Sequence, residues 1–276
     1  MLLTASPTLP TSSMSLPESA VERYRREGWV KVDRPIFAPE KFRRLKEHFE
    51  AKLAALPPGE RPEGMDVPHF TDLALFEWLL APELLDLVEP LIGPDIALFS
   101  SHFICKPRGN GKRVPWHEDS AYWRGMIYPA EVVTVWLAID PSNLENGCMQ
   151  VIPGTHRNGY SDYDPVDPAK NVFATEVRAA QMDASKRVPV ELEANQASLH
   201  DGRIIHGSDA NTSDKRRCGY TMRFMPARLE LSQAAYAYHQ IFLARGEGHG
   251  VNRYGDPARA RPDLVAARTR GNKNGH

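Results

Sequence analysis

Trp116-His117-Glu118-Asp119 sets an imidazole and a carboxylate two residues apart. On an extended strand or at its end, side chains at that spacing project from one face, so His117 and Asp119 can share a metal ion. A second histidine, His206, would be the third ligand. Two histidines and one carboxylate on one face of a metal leave the remaining positions open, the arrangement of non-heme Fe(II) oxygenases. The tripeptide alone carries little: with 10 histidines in 276 residues, roughly half a chance match to His-x-Asp is expected. The weight falls on the stretches around it.

His206 opens the run His206-Gly207-Ser208-Asp209-Ala210-Asn211-Thr212-Ser213-Asp214-Lys215-Arg216-Arg217. Between the ligand stretches lie Trp136-Leu137-Ala138-Ile139-Asp140, Glu145-Asn146-Gly147-Cys148-Met149 and Ile152-Pro153-Gly154-Thr155-His156. With these blocks in this order, roughly residues 20 to 228 resemble the phytanoyl-CoA dioxygenase family of Fe(II)- and 2-oxoglutarate-dependent oxygenases. That pattern has His-x-Asp, then a distal His followed by Ser, Asn and Ser, then an Arg eleven residues past the His, which position 217 satisfies.

The resemblance implies a mainly β fold, a double-stranded β-helix (a jelly-roll or cupin-like barrel) with helices packed outside. It implies Fe(II) on His117, Asp119 and His206, with 2-oxoglutarate and O2 as cosubstrates. Arg217 would bind the distal carboxylate of 2-oxoglutarate, joined by Ser208, with Trp136 packed alongside and Lys106 adding a cation. The reaction expected is hydroxylation of a small molecule with release of succinate and CO2; desaturation and ring formation stay open. Halogenation is disfavoured, because the Asp119 carboxylate fills the position a halide would need. Two other readings remain: a metal-dependent barrel enzyme that does not use 2-oxoglutarate, and a catalytically silent binding protein on the same fold.

The residues also carry readings of their own. Arg216-Arg217 is either a solvated cationic pair or the start of a strand, where a planar guanidinium facing inward could hold a carboxylate through two parallel hydrogen bonds. Tyr122, Trp123 and Arg124, directly after Asp119, could line a substrate pocket or pack at a barrel rim. Arg223 shares the parity of Arg217 and, if it faces the interior, requires an anionic partner. Lys106, Arg108, Lys112 and Arg113 crowd the approach to His117, which is either a solvated loop or the mark of an anionic substrate. Asn211 and Ser213 read as turn residues, and Gly147, Gly154 and Gly207 as turn or close-packing positions. His156 and His200 read as neighbours of the site or surface residues, not ligands.

The elements that must position these groups follow from periodicity. Ser15-x-x-Glu18 predicts a capping box and a helix over 17–27 stopped by Gly28. Trp29–Val32 reads as a strand, and a helix from Pro39 places Phe42, Leu45, Phe49, Leu53 and Leu56 on one face. Further helices are expected over 73–80 and 82–91. From Ile96 the pattern turns to strands: 96–106, 132–139, 149–152, 188–192, 197–200, 203–206 and 218–225, with a long excursion over 157–187 covering one mouth of the barrel. A helix over 231–244 and a polar cationic tail close the chain. Residues 1–15 are expected to be a tail and 16–276 one domain.

A hydrophobic fraction of 42% supports a sizeable core, and a net charge of −1 argues against a general nucleic-acid or membrane-surface binder. The three cysteines have no metal-type spacing and are odd in number, which fits a reducing compartment such as the cytoplasm. No run approaches the roughly 18 apolar residues of a membrane span.

Overall fold

The computed structural model describes residues 15–272, with the side chains of the final helix described as far as Arg268. The tail expected over 1–15 lies outside the described residues except for Ser15. Helix α1 (Glu18–Glu27) is followed by β1 (Trp29–Val32) and α2 (Pro39–Ala54). Then come β2 (Met65–Asp66), the single turn α3 (Phe76–Leu79) and α4 (Pro82–Ile92). The strands that carry the site are β3 (Ile96–Lys106), β4 (Val114–His117), β5 (Val133–Ala138) and β6 (Gln150–Val151). They continue with β7 (Tyr163–Pro165), β8 (Thr175–Val177), β9 (Val188–Pro189), β10 (Ala197–Asp201), β11 (His206–Ser208) and β12 (Arg217–Pro226). Strand β13 (Phe242–Arg245) and helix α5 (Pro262–Asn272) end the fold.

The larger sheet runs β1-β10-β5-β12-β3-β13 with β2 beside β3, and the smaller runs β4-β11-β6-β9. All of these pairs are antiparallel, and the two sheets form an open jelly-roll, not a closed barrel. Alternation along the strands explains the layers. Val133, Val135 and Leu137 of β5, with Leu199 and Tyr220, pack under Leu45 and Phe49 of α2 and Leu84 and Val88 of α4. The opposite face of the same strands meets the smaller sheet: Trp136 and Ala138 pack with Trp29, Met149, Val151 and Ile204. That inner face also carries the polar side chains of the site.

Several expectations need correction. Pro17, not Ser15, occupies the cap position of α1, and no side-chain cap bond forms there. The helix expected over 73–80 is a 3-10 turn, Leu73–Leu75, running into α3. The strand placed at 203–206 begins only at His206, because Arg203 turns back to clamp Asp201 with ion-pair contacts of 2.6 and 2.8 Å. The helix expected over 231–244 is a 3-10 turn (Gln233–Ala237) followed by β13, whose backbone pairs the exposed edge of β3. The closing segment expected as tail contains α5, tied down by Arg268 to Asp66 at 2.6 Å. The excursion over 157–187 contains the β7–β8 hairpin. Cys105, Cys148 and Cys218 are buried and free. Among the described residues no helix is long and apolar enough to cross a membrane.

Candidate active site

Strands β4 and β11 pair antiparallel with His117 directly opposite His206, so two sequence-distant imidazoles face each other with ring centroids 4.1 Å apart. Asp119 begins the 3-10 turn that follows β4, which bends its carboxylate back to 3.6 Å from His117 Nε2. One ligand atom from each of the three residues lies within 4.8 Å of the others, and all three residues are buried. Their hydrogen bonds suit a metal. His117 Nδ1 donates to Pro115 O at 2.8 Å and His206 Nδ1 donates to Ile204 O at 3.0 Å. A carbonyl can only accept, so in the neutral form each ring carries its proton on Nδ1 and leaves the Nε2 lone pair for a metal. Burial pushes the His206 imidazole well below its ordinary pKa, which favours the same neutral form.

Asp119 is held ionised. Burial opposes this, but Arg223 foremost, followed by the two histidines, brings its pKa well below the usual carboxylate range. Arg223 Nε donates to Asp119 Oδ2 at 3.0 Å and Thr134 Oγ1 to the same oxygen at 3.3 Å, while the Oδ1 contact of Arg223 is longer, at 3.4 Å. Oδ2 is thus the anchored oxygen and Oδ1 the one turned to the histidines. A buried donor set of two neutral imidazoles and one carboxylate fits a divalent first-row ion that keeps open positions.

Two strand residues past His206, Ser208 leads to a pair of buried cations. Lys106 Nζ donates to Ser208 Oγ at 2.7 Å and contacts the carbonyl of Asp209; Arg217 Nη2 donates to Ser208 Oγ at 3.2 Å and to Gly147 O at 2.7 Å. Neither cation forms an ion pair among the described residues. Burial, with Arg217 adding to it, lowers the Lys106 pKa well below its ordinary value, and burial pushes Arg217 down to about 10. The indole of Trp136 lies 5.4 Å from the Arg217 guanidinium carbon. Arg216 points the other way, to Glu50 of α2 at 2.5 and 2.9 Å and to Asp140 at 2.7 and 2.9 Å.

Trp136 can lie where it does because position 219 has no side chain. A Cβ on Gly219 would stand 2.1 Å from Trp136 Cζ2. Gly219→Ala is therefore expected to destabilise the protein by about 1 to 3 kcal/mol through overpacking. Gly64→Ala, where an added Cβ meets nothing within 4 Å, is expected to change little. Urea unfolding of the two variants checks this, and equal losses would show that the indole moves freely.

The other expected site residues fall around the metal ligands in different ways. Tyr122, 38% exposed, and Phe173 form an aromatic wall: Phe173 lies 4.9 Å from the His117 ring and 5.2 Å from Tyr122. Trp123 is buried in a separate core cluster against Phe99. Arg124 stacks on Tyr160 at 4.0 Å, and Arg223 holds Asp119. Lys112 donates to Pro168 O at 2.9 Å and Arg113 pairs with Glu176, so much of the cationic approach is engaged by protein groups. Asn211 bridges Pro107 O and Lys215 O at 3.0 and 2.7 Å, as a turn residue does.

The sequence does not single out Thr134, Phe173 or Glu118, and it leaves His200 as either a neighbour of the site or a surface residue. Thr134 had a signal: it is two residues before Trp136 in a buried strand and so shares its face. Glu118, fully buried between two ligands, accepts from Ser161 Oγ at 2.6 Å and from Ser161 N at 3.3 Å, and its own N–H donates to Tyr163 Oη at 3.1 Å. With the bond from Trp116 N to Glu176 at 3.0 Å, these contacts dock the β7–β8 hairpin on β4 and bring Phe173 to the metal ligands.

An antiparallel jelly-roll with two histidines and a carboxylate between its sheets defines a mononuclear metal site of the oxygenase type. The phytanoyl-CoA dioxygenase (PhyH) family model matches residues 24–219, and the chain belongs to that family. A probable phytanoyl-CoA dioxygenase of Caenorhabditis elegans is 29% identical over 207 residues, covering 72% of this chain and 65% of the relative. The human peroxisomal phytanoyl-CoA dioxygenase is 26% identical over 218 residues, covering 77% and 63%. A Dictyostelium discoideum homolog of phytanoyl-CoA dioxygenase domain-containing protein 1 is 29% identical over 152 residues, covering 54% of this chain. The chain spans 53% to 65% of the length of these relatives. The non-heme monooxygenase ThoJ shares the fold with a TM-score of 0.70 at 24% identity, covering 92% of this chain and 96% of ThoJ. The carbocyclase SnoK from nogalamycin biosynthesis, described as α-ketoglutarate dependent, shares it with a TM-score of 0.64 at 22% identity, covering 81% and 89%.

Proposed function

We propose that this chain is an Fe(II)- and 2-oxoglutarate-dependent oxygenase that hydroxylates a small molecule. The observation that carries the reading is the pair Lys106 and Arg217, buried without a carboxylate partner two strand residues from a metal-ligand histidine. A buried cation without a counter-ion is costly, and two of them around one serine hydroxyl select a ligand with a carboxylate. Trp136 packs beside that space, its indole 5.4 Å from the Arg217 guanidinium carbon. His117, Asp119 and His206 would hold Fe(II), while Arg223 and Thr134 hold the carboxylate of Asp119 in its orientation. Iron with 2-oxoglutarate and O2 supplies the oxidising power: the oxoacid becomes succinate and CO2, and one oxygen atom enters the substrate.

Support for the substrate's character comes from the mouth. Tyr122 and Phe173 are the groups that stand over His117, whereas Arg113, Arg124 and Arg223 are engaged by protein groups. We therefore favour a substrate whose reacting carbon sits in an apolar or ring-bearing portion, over one recognised through an acid at that point. Anaerobic addition of 2-oxoglutarate to the Fe(II) protein should produce the charge-transfer band of a chelated oxoacid, and aerobic incubation should release succinate. A protein that binds Fe(II) but shows neither response sinks the proposal.

A further inference from the structure

His200 lies on the inner face of β10, 1% exposed, and neither of its ring nitrogens has a hydrogen-bond partner. Other buried histidines of the fold keep at least one bond: His69 Nδ1 to Ser101 Oγ at 2.7 Å, His156 Nε2 to Arg25 O at 3.2 Å. Buried polar atoms are nearly always paired, so a histidine unpartnered at both nitrogens calls for an explanation. It is not isolated. Trp29, directly across from His200, has an unpartnered Nε1, and Ser198, two residues along the same face, an unpartnered Oγ. Ser198 in turn pairs across to Trp136 and His200 to Thr134. The strip thus borders the indole beside Arg217 at one end and the hydroxyl that holds Asp119 at the other.

His200 stands at the metal end of that strip. Its ring centroid is 4.8 Å from that of His206, yet its nitrogens are not among the clustered ligand atoms. A neutral imidazole offers one N–H donor, and the acceptor best suited to it in a buried site is an anionic oxygen. Arg217, Lys106 and Ser208 serve the far carboxylate of a bound dicarboxylate. The end that chelates the metal carries a second carboxylate, for which those three residues provide nothing. We propose that His200 donates a hydrogen bond to the metal-chelating carboxylate of 2-oxoglutarate. This rests on the oxygenase reading above and assigns a second contact to the same cosubstrate.

The test uses His200→Phe and His200→Gln in the full chain, with metal and 2-oxoglutarate binding measured separately without oxygen. Loss of a hydrogen bond to a charged group should weaken 2-oxoglutarate binding to the Fe(II) form of His200→Phe by about tenfold or more and move its charge-transfer band. Mn(II) affinity without cosubstrate should stay within about twofold, since none of the atoms removed is a ligand. Removing two unpaired buried nitrogens should also raise the Tm of the metal-free protein by roughly 2 to 4 °C, the reverse of what a packing role gives. His200→Gln, which keeps a donor, should recover most of the 2-oxoglutarate affinity. Unchanged affinity and band in His200→Phe would overturn the proposal, as would weakened Mn(II) binding, which would make His200 a ligand or a group that positions His206. A lower Tm in both variants would leave it a packing residue. If the parent binds Fe(II) yet develops no band, the oxygenase reading itself is what has failed.

Discussion

Replacing Asp119 with alanine is expected to weaken Fe(II) binding by more than about a hundredfold, since losing a partner that only orients a ligand already costs 10- to 100-fold. Turnover should vanish with the metal. The same change has a second effect that the histidine replacements lack. Arg223 bonds Asp119 at 3.0 Å with both side chains largely buried, so Asp119→Ala leaves a guanidinium without its counter-ion. Breaking a buried pair on one side costs about 3 to 5 kcal/mol, and the partial exposure of Arg223 puts the expected loss at the lower end. His206→Ala should lose metal but little fold stability beyond the packing of one ring. The double replacement Asp119→Ala with Arg223→Leu should then recover most of the lost stability without recovering metal binding. Metal analysis combined with urea unfolding separates the two effects. Full iron occupancy in Asp119→Ala would remove that residue from the ligand set.

Arg217→Ala is expected to weaken 2-oxoglutarate binding by about 2 to 5 kcal/mol, the range for truncating one member of a buried, hydrogen-bonded charge pair. Lys106 stays behind, but it is already engaged by Ser208 and the Asp209 carbonyl and presents no planar fork to a carboxylate. Arg216→Ala should leave cosubstrate affinity alone and lower stability instead, because Arg216 ties β12 to Glu50 on α2 and to Asp140. Calorimetric titration of the two variants with 2-oxoglutarate, alongside their melting temperatures, distinguishes the neighbouring arginines. The reverse pattern would place Arg216 in the pocket.

These contrasts show which features a linear reading reaches. Strand parity separates Arg217 from Arg216 because alternation across a sheet is a local rule, and the β-branched run around Val133 marks its own strand. The segment after Leu231 carries apolar residues at helical spacing, yet Phe242 and Leu243 pair with Leu98 and Ala97. An open edge on β3 outcompeted local propensity there, and no local pattern reports an edge. Helix α5 escaped for the opposite reason: among its described side chains Leu264 is the one buried hydrophobic residue, so there was little period to find. In the site, the ligands and Arg217 stand in short ordered motifs. Phe173 and Glu118 act through partners dozens of residues away, and His200 is distinguished by bonds it does not make, which only coordinates reveal.

The docking of the β7–β8 hairpin separates two tasks along the chain. Its two ends are held by Ser161, Tyr163 and Glu176, which engage Glu118 and the Trp116 backbone on the metal strand. The stretch between Pro165 and Thr175, which carries Phe173, is held instead to the residues just before that strand: Val172 N donates to Arg113 O at 2.9 Å, Arg113 N to Lys170 O at 3.3 Å and Lys112 Nζ to Pro168 O at 2.9 Å. The aromatic wall over His117 is thus pinned along its length to one edge strand and the residues leading into it. A change in the length of its tip would disturb the bonds at Arg113 that lead into the metal strand, whereas a change of side chain at Phe173 leaves them in place. Side-chain replacements at Phe173 are therefore expected to change substrate selectivity while metal occupancy stays the same, a contrast read by comparing turnover with metal content.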